Sequence, residues 1–137
     1  MSDIHQNDVA VGLHLVVTTR TMADASREFG PLLSKLEPKR CALHRSSEHG
    51  HHEFDLLTGT TGSATRRTLR DMETWSDRVL TSLGLASDYH ILFDPDEGWT
   101  VEDCSKSPEE AALIHPSCIH YHLRTTIGFD PWDVDSR

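Results

Sequence analysis

Apolar residues recur along the chain at two periods, and the switches between them mark out its elements. Val9–Thr19 (VAVGLHLVVTT) is β-branched and largely apolar, which predicts a strand. Met22, Ala25, Phe29, Leu32 and Leu33 then fall at helical spacing within Met22–Leu36. Gly30-Pro31 predicts an interruption there, a short helix followed by a turn or second short helix. After the polar stretch His44–Gly50 the pattern alternates: His52, Phe54 and Leu56 oppose His51, Glu53 and Asp55, a half-buried strand ended by Thr58–Gly62. Ser63–Leu83 carries the longest helical stripe, Leu69, Met72, Val79, Leu80 and Leu83, with Trp75 near its edge, Ser63 as cap and Gly84 at the stop. Tyr89–Phe93 predicts a strand or extended loop before a turn at Asp94–Gly98. Ser107-Pro108-Glu109-Glu110 starts a short helix that ends near Pro116. Cys118–Thr126 alternates again, Ile119, Tyr121 and Leu123 opposing His120, His122 and Arg124. These elements predict an α+β domain of four or five strands and two or three helices.

Composition narrows the class. A length of 137 residues predicts a single domain, 1–137, whose acidic tail 130–137 is loose unless Phe129 and Trp132 dock it. Hydrophobic residues make up 36% and charged residues 26%, enough apolar material to close a modest core. The net charge of −9 argues against nucleic acid as a partner, because such binding relies on Lys and Arg neutralising phosphates. No apolar run approaches the ~20 residues of a membrane span. The polar, acidic opening MSDIHQND is unlike a secretory signal, so the expectation is cytoplasmic. Cys41, Cys104 and Cys118 are then expected as free thiols rather than a disulfide framework.

Ten histidines are an excess over the three or four that roughly 2–3% abundance would give, consistent with metal binding, acid–base chemistry or a solvated surface. His49-Gly50-His51 is the sharpest local feature. Two imidazoles two residues apart share a strand face and suit one Zn²⁺, although a polar hairpin tip rich in histidine reads the same way. His120 and His122 repeat the spacing on a late strand. Cys41, eight residues before His49, would be a favoured thiolate beside a metal or imidazolium, or else a small buried residue. Asp88 and His90 flank Tyr89 and would share a strand face as a carboxylate-oriented imidazole, or as a polar pair at a strand edge. Arg66, Arg67 and Arg70 read as a solvated helix face.

In this order the pieces resemble the 6-pyruvoyl- and 6-carboxy-tetrahydropterin synthase family, whose members adopt the T-fold. The likeness spans roughly residues 22 to 126. It runs through Cys41…His49-Gly50-His51, Asp71-Met72, Asp88-Tyr89-His90, Thr100-Val101-Glu102-Asp103 and the late strand His120–Thr126. The resemblance implies an antiparallel sheet with helices packed on one face and a zinc-dependent lyase or isomerase acting on a small heterocyclic metabolite. It also implies a homo-oligomer with sites at subunit interfaces. His49 and His51 would be zinc ligands, and Cys41, Asp88 and His90 would move protons. Thr100, Glu102 and Thr125 would line the substrate pocket. The chain departs from the pattern at Ser26, where the family has its third zinc histidine, and at Thr125, where it has a pterin-anchoring Glu. Tyr89 also splits the Asp-His pair, and Pro108 breaks a helix.

A second class fits the same residues. The acidic balance suits a non-catalytic binding module, such as an immunity protein or inhibitor of a basic partner, built as a ferredoxin-like α+β sandwich.

Overall fold

The computed structural model describes residues 4–46, 50–61 and 66–132. Along the chain run β1 (Val9–Val17), α1 (Met22–Ser34), β2 (Arg40–Arg45), β3 (His52–Gly59), α2 (Leu69–Ser82), β4 (His90–Asp94), β5 (Gly98–Cys104), α3 (Pro108–Ala111) and β6 (Cys118–Ile127). The strands form one antiparallel sheet in the order β2-β3-β1-β6-β5-β4. Two connections cross over other strands: β1 to β2 passes β3, and β3 to β4 passes β1, β6 and β5. The β4–β5 hairpin extends the sheet past β6.

Alternation gives this sheet two different faces. Val9, Val11, Leu13, Leu15 and Val17 of β1 are fully buried, in one core with Phe54 and Leu56 of β3, Val101 of β5, and Tyr121 and Leu123 of β6. Ala25, Phe29 and Leu33 of α1, Met72, Val79 and Leu80 of α2, and Ala111 of α3 complete that core, so all three helices cover the same face. Phe29 sits at its centre, its ring 5.5 Å from Phe54 and 4.4 Å from His115. Full burial of such a side chain is worth about 1.5–3 kcal/mol. Among the described residues the opposite face carries no helix.

Three local expectations change. Gly30-Pro31 does not break α1, which continues to Ser34 with Pro31 inside it. Pro31 faces solvent, so water can satisfy the Arg27 carbonyl that loses its helical donor, while Phe29 and Leu33 hold both turns on the core. The long helix begins at Leu69. The Thr68 amide donates to the Asp71 carboxylate at 2.7 Å, and the cap expected at Ser63 lies outside the described residues. At its other end Gly84 adopts φ 78°, the left-handed stop expected there. Finally, Gly98–Cys104 is a strand that the apolar pattern does not delimit, and so is Arg40–Arg45, which makes the sheet six-stranded. The latter is an edge strand with mostly exposed residues, so it lacks the apolar alternation that marks a covered strand. No helix among the described residues is long and apolar enough to cross a membrane.

Candidate functional site

The helix-free face gathers a cross-strand set of ionisable side chains. Strand register brings His44 of β2, Glu53 and Asp55 of β3, His14 of β1, His120, His122 and Arg124 of β6, and Glu102 of β5 onto it. Cross-strand partners include His44 with Glu53, Asp55 with His14, His14 with His122, and Arg124 with Glu102. The result is a band of alternating imidazoles and carboxylates across five strands.

At one end of the band four side chains form a ring. His14 Nδ1 lies 2.6 Å from Asp55 Oδ1, and His14 Nε2 lies 3.6 Å from Glu53 Oε1. His44 Nε2 lies 2.8 Å from Glu53 Oε2, and His44 Nδ1 lies 3.6 Å from Asp55 Oδ2. A neutral imidazole donates from one nitrogen only, so all four contacts are attractive together only when both rings are protonated. The Asp55 hydrogen bond raises the pKa of His14 above its ordinary value, with burial opposing it. The same bond, to a His14 that can carry charge, lowers the Asp55 carboxyl. At the other end His122 Nε2 lies 2.9 Å from Glu102 Oε2, with Arg124 Nε at 3.8 Å from the same oxygen. His120, bonded to Ser105 Oγ at 2.9 Å, has its pKa lowered by burial and by the neighbouring His122 and His14.

The segment after β6 folds back over part of this face. Arg40 pairs with Asp130, Arg124 Nη1 donates to the Pro131 carbonyl at 3.1 Å, and the Trp132 ring lies 4.9 Å edge-on from His122. The Trp132 indole rests where a Cβ at position 12 would be, which explains a glycine in the middle of β1. Trp132 therefore docks on this face, and residues 133–137 lie outside the described residues.

The pterin-synthase-like set does not converge within one chain. Cys41 lies on β2 and His90 on β4, the two outer strands, separated by five strand spacings of about 4.8 Å, or roughly 24 Å. His51 precedes β3, five residues from Leu56, the Cys41 partner, a distance of roughly 17 Å along the strand. His49 lies outside the described residues. Asp88 is fully exposed and held by Lys106 at 3.0 Å, which lowers its carboxyl pKa, rather than orienting His90. Thr100 and Glu102 take the helix-free face. Thr125 takes the other, fully buried, its hydroxyl 2.8 Å from Ser76 Oγ beneath α2, because adjacent strand residues alternate. A substrate on one face cannot touch all three.

Cys41 also differs from expectation as an acid. It lines a groove of about 260 Å³ with Ser26, Leu33, Pro38, Leu43 and Phe54. Leu33, Pro38, Leu43 and Phe54 make those walls mostly apolar, and partial burial among them, with the nearby Asp55 charge, raises its thiol pKa, so the thiolate is disfavoured. All three cysteines are free, Cys118 buried beneath the helices with its pKa pushed up to about 11. No group of three or more His, Cys, Asp or Glu residues is placed to hold a metal ion among the described residues.

A second polar cluster lies on the helix face. The Tyr121 hydroxyl is 2.7 Å from Glu110 Oε1 and 3.1 Å from Asp103 Oδ2, tying α3 to β5 and β6. Burial raises the Asp103 carboxyl pKa, the Tyr121 hydrogen bond opposing it and the nearby Glu110 charge adding to it. With its hydroxyl satisfied from both sides, Tyr121 reads as a structural tie.

Sequence spacing alone does not identify His14, His44, Glu53 and Asp55 as a unit. The available signal was the polar residue His14 inside an apolar strand, together with the alternation of Glu53 and Asp55. Comparison with protein-family models, with curated proteins and with solved structures returned no match for this chain.

Proposed function

We propose that this chain is a non-catalytic acidic binding module, of the immunity or inhibitor kind, that takes a basic protein partner on its helix-free sheet face. The supporting observation is the band on that face. Glu53, Asp55 and Glu102 stand at intervals across the sheet, with imidazoles as their nearest partners. An incoming guanidinium or ammonium displaces a neutral imidazole from a carboxylate more readily than it would displace an arginine. The net charge of −9 steers such a partner over longer range. Acidification favours the charged form of His14, which competes for Asp55 and Glu53, so the module is expected to bind more weakly near pH 5.5 than near pH 8. On this reading the order β2-β3-β1-β6 is a ferredoxin-like core, with β4, β5 and α3 as an insertion.

The zinc-dependent, pterin-synthase-like T-fold reading has less support, since it needs Cys41 and His90 in one pocket. Only a subunit arrangement joining β2 of one copy to β4 of the next would bring them together.

The two readings separate in a binding assay with a fluorescent Lys/Arg-rich decapeptide. Wild-type affinity is expected to fall at least tenfold between about 50 and 500 mM NaCl. Affinity is also expected to fall in Glu53→Gln/Asp55→Asn/Glu102→Gln far more than in Asp88→Asn/Asp96→Asn/Glu109→Gln, which loses the same charge elsewhere. Equal losses in the two variants, or salt-independent binding, would overturn the proposal.

A further inference from the structure

The outermost strand, β4, exposes every one of its residues, and its sequence is complementary to itself. His90, Ile91, Leu92, Phe93 and Asp94 pair on one side with β5 and on the other with nothing described. Ile91 is 38% exposed, Leu92 51% and Phe93 59%, and Trp99 beside Phe93, with ring centroids 4.9 Å apart, is 46% exposed. An uncovered apolar edge strand is a template for another strand, and proteins that keep such edges unpaired usually guard them with charge, proline or a bulge. The opposite edge is guarded in this way: β2 carries Arg40, His44 and Arg45. On β4 the only ionisable residues are its two ends, which differ in sign when His90 is protonated.

The geometry points to a two-fold dimer in which β4 pairs antiparallel with β4 of a second copy, with Leu92 on the symmetry axis. In that register His90 faces the partner's Asp94, Ile91 faces the partner's Phe93, and Leu92 faces the partner's Leu92. Opposite residues in an antiparallel pair share a face. His90, Leu92 and Asp94 extend the helix-free face, while Ile91, Phe93 and Trp99 meet on the helix side. A strand joined to its own copy about a dyad closes, giving one sheet of twelve strands and no further growth. The remaining like-charge juxtaposition, Asp88 with the partner's Asp96, has a cation at hand, since Lys106 already holds Asp88 at 3.0 Å. The dimer uses the edge of the sheet and stands independently of the partner proposed for its face.

Sedimentation velocity over roughly 5 to 500 µM protein tests this. The expected species has twice the 15.4 kDa chain mass, with no larger assembly at the highest concentration. Leu92→Lys, which sets two ammonium groups against each other on the axis, is expected to give monomer. His90→Asp, opposing the partner's Asp94, is expected to weaken the dimer at least tenfold, whereas His90→Lys keeps it within about threefold. Position 90 is exposed, so these variants leave the core untouched, and the turn held by Asp94 is intact in all of them. Amide exchange supplies a second readout: β4 amides are expected to gain protection as concentration rises. A monomer across the whole range, an open-ended polymer, or a dimer indifferent to Leu92→Lys would overturn the inference.

Discussion

Replacing Asp55 by Asn isolates the ring on the helix-free face, because it keeps the shape and the acceptor oxygen while removing the charge. In the wild type the pKa of His14 is raised above the unfolded value of ~6.5. Its contribution to stability is therefore complete below that value and is lost as pH rises through the folded value. The pKa of Asp55 is lowered below the unfolded ~3.9, so its contribution is present above that value and is lost as pH falls through the folded one. The pair is fully effective between about pH 4 and 6.5. A buried charged hydrogen bond is worth about 1.5–3 kcal/mol and an exposed ion pair about 0.2–1 kcal/mol. The side chains here are 25% exposed for His14 and 39% for Asp55, and Glu53 remains 3.6 Å from the imidazole. Solvent screening and that second carboxylate place Asp55→Asn at about 1 kcal/mol near pH 5.5, a drop in Tm of about 3–4 °C for a chain this size. Because His14 loses its proton as pH rises through its raised pKa, the cost is expected to be smaller near pH 8.5. Urea denaturation of both proteins at the two pH values measures the difference directly. An equal cost at both, or a larger one at pH 8.5, would refute the assignment of His14 and Asp55 as a charged pair.

Other substitutions test other parts of the account. Gly12→Ala is expected to destabilise by displacing Trp132, but to be neutral or stabilising in a Trp132→Ala background, where a strand glycine has only its entropic cost of about 0.5–1 kcal/mol; chemical denaturation of the four proteins in the cycle reads this out. Phe29→Ala, which empties the centre of the core, is expected to cost about 3–5 kcal/mol by the same assay. Alkylation of Cys41 by iodoacetamide, followed by peptide mass spectrometry, is expected to show a pH midpoint above the usual thiol value of about 8.5. A midpoint below that would restore the activated thiolate that the groove disfavours.

What the sequence disclosed follows from which signals are local. The alternation in His52–Leu57 and in Cys118–Thr126 reports burial on one side of a strand, and both segments are strands with that side buried. The stripe Leu69, Met72, Val79, Leu80, Leu83 likewise identifies α2 and its core face. Arg40–Arg45 escaped because an exposed edge strand has little apolar periodicity to read. The Pro31 position misled because a helix tolerates proline where water can reach the freed carbonyl and the flanking residues are buried. The candidate site was less legible than the fold. Spacing showed that His14, Glu53 and Asp55 were polar residues in strands. It could not show that β1 inserts between β3 and β6, and that insertion brings His14 against Asp55 and beside His122. The same strand order separates Cys41 from His90, a pair that looks close when the elements are read in sequence.

The central claim is that the helix-free face, rather than the Cys41 groove or the helix side, is the surface that meets a partner. Titration of ¹⁵N-labelled protein with the Lys/Arg-rich decapeptide, followed by amide chemical shifts, maps the contact residue by residue. The account predicts that shifts concentrate at His14, Glu53, Asp55, Glu102 and His122, with α1 and α2 unaffected. Shifts confined to Ser26, Cys41 and Leu43, or spread along the helices, would contradict it.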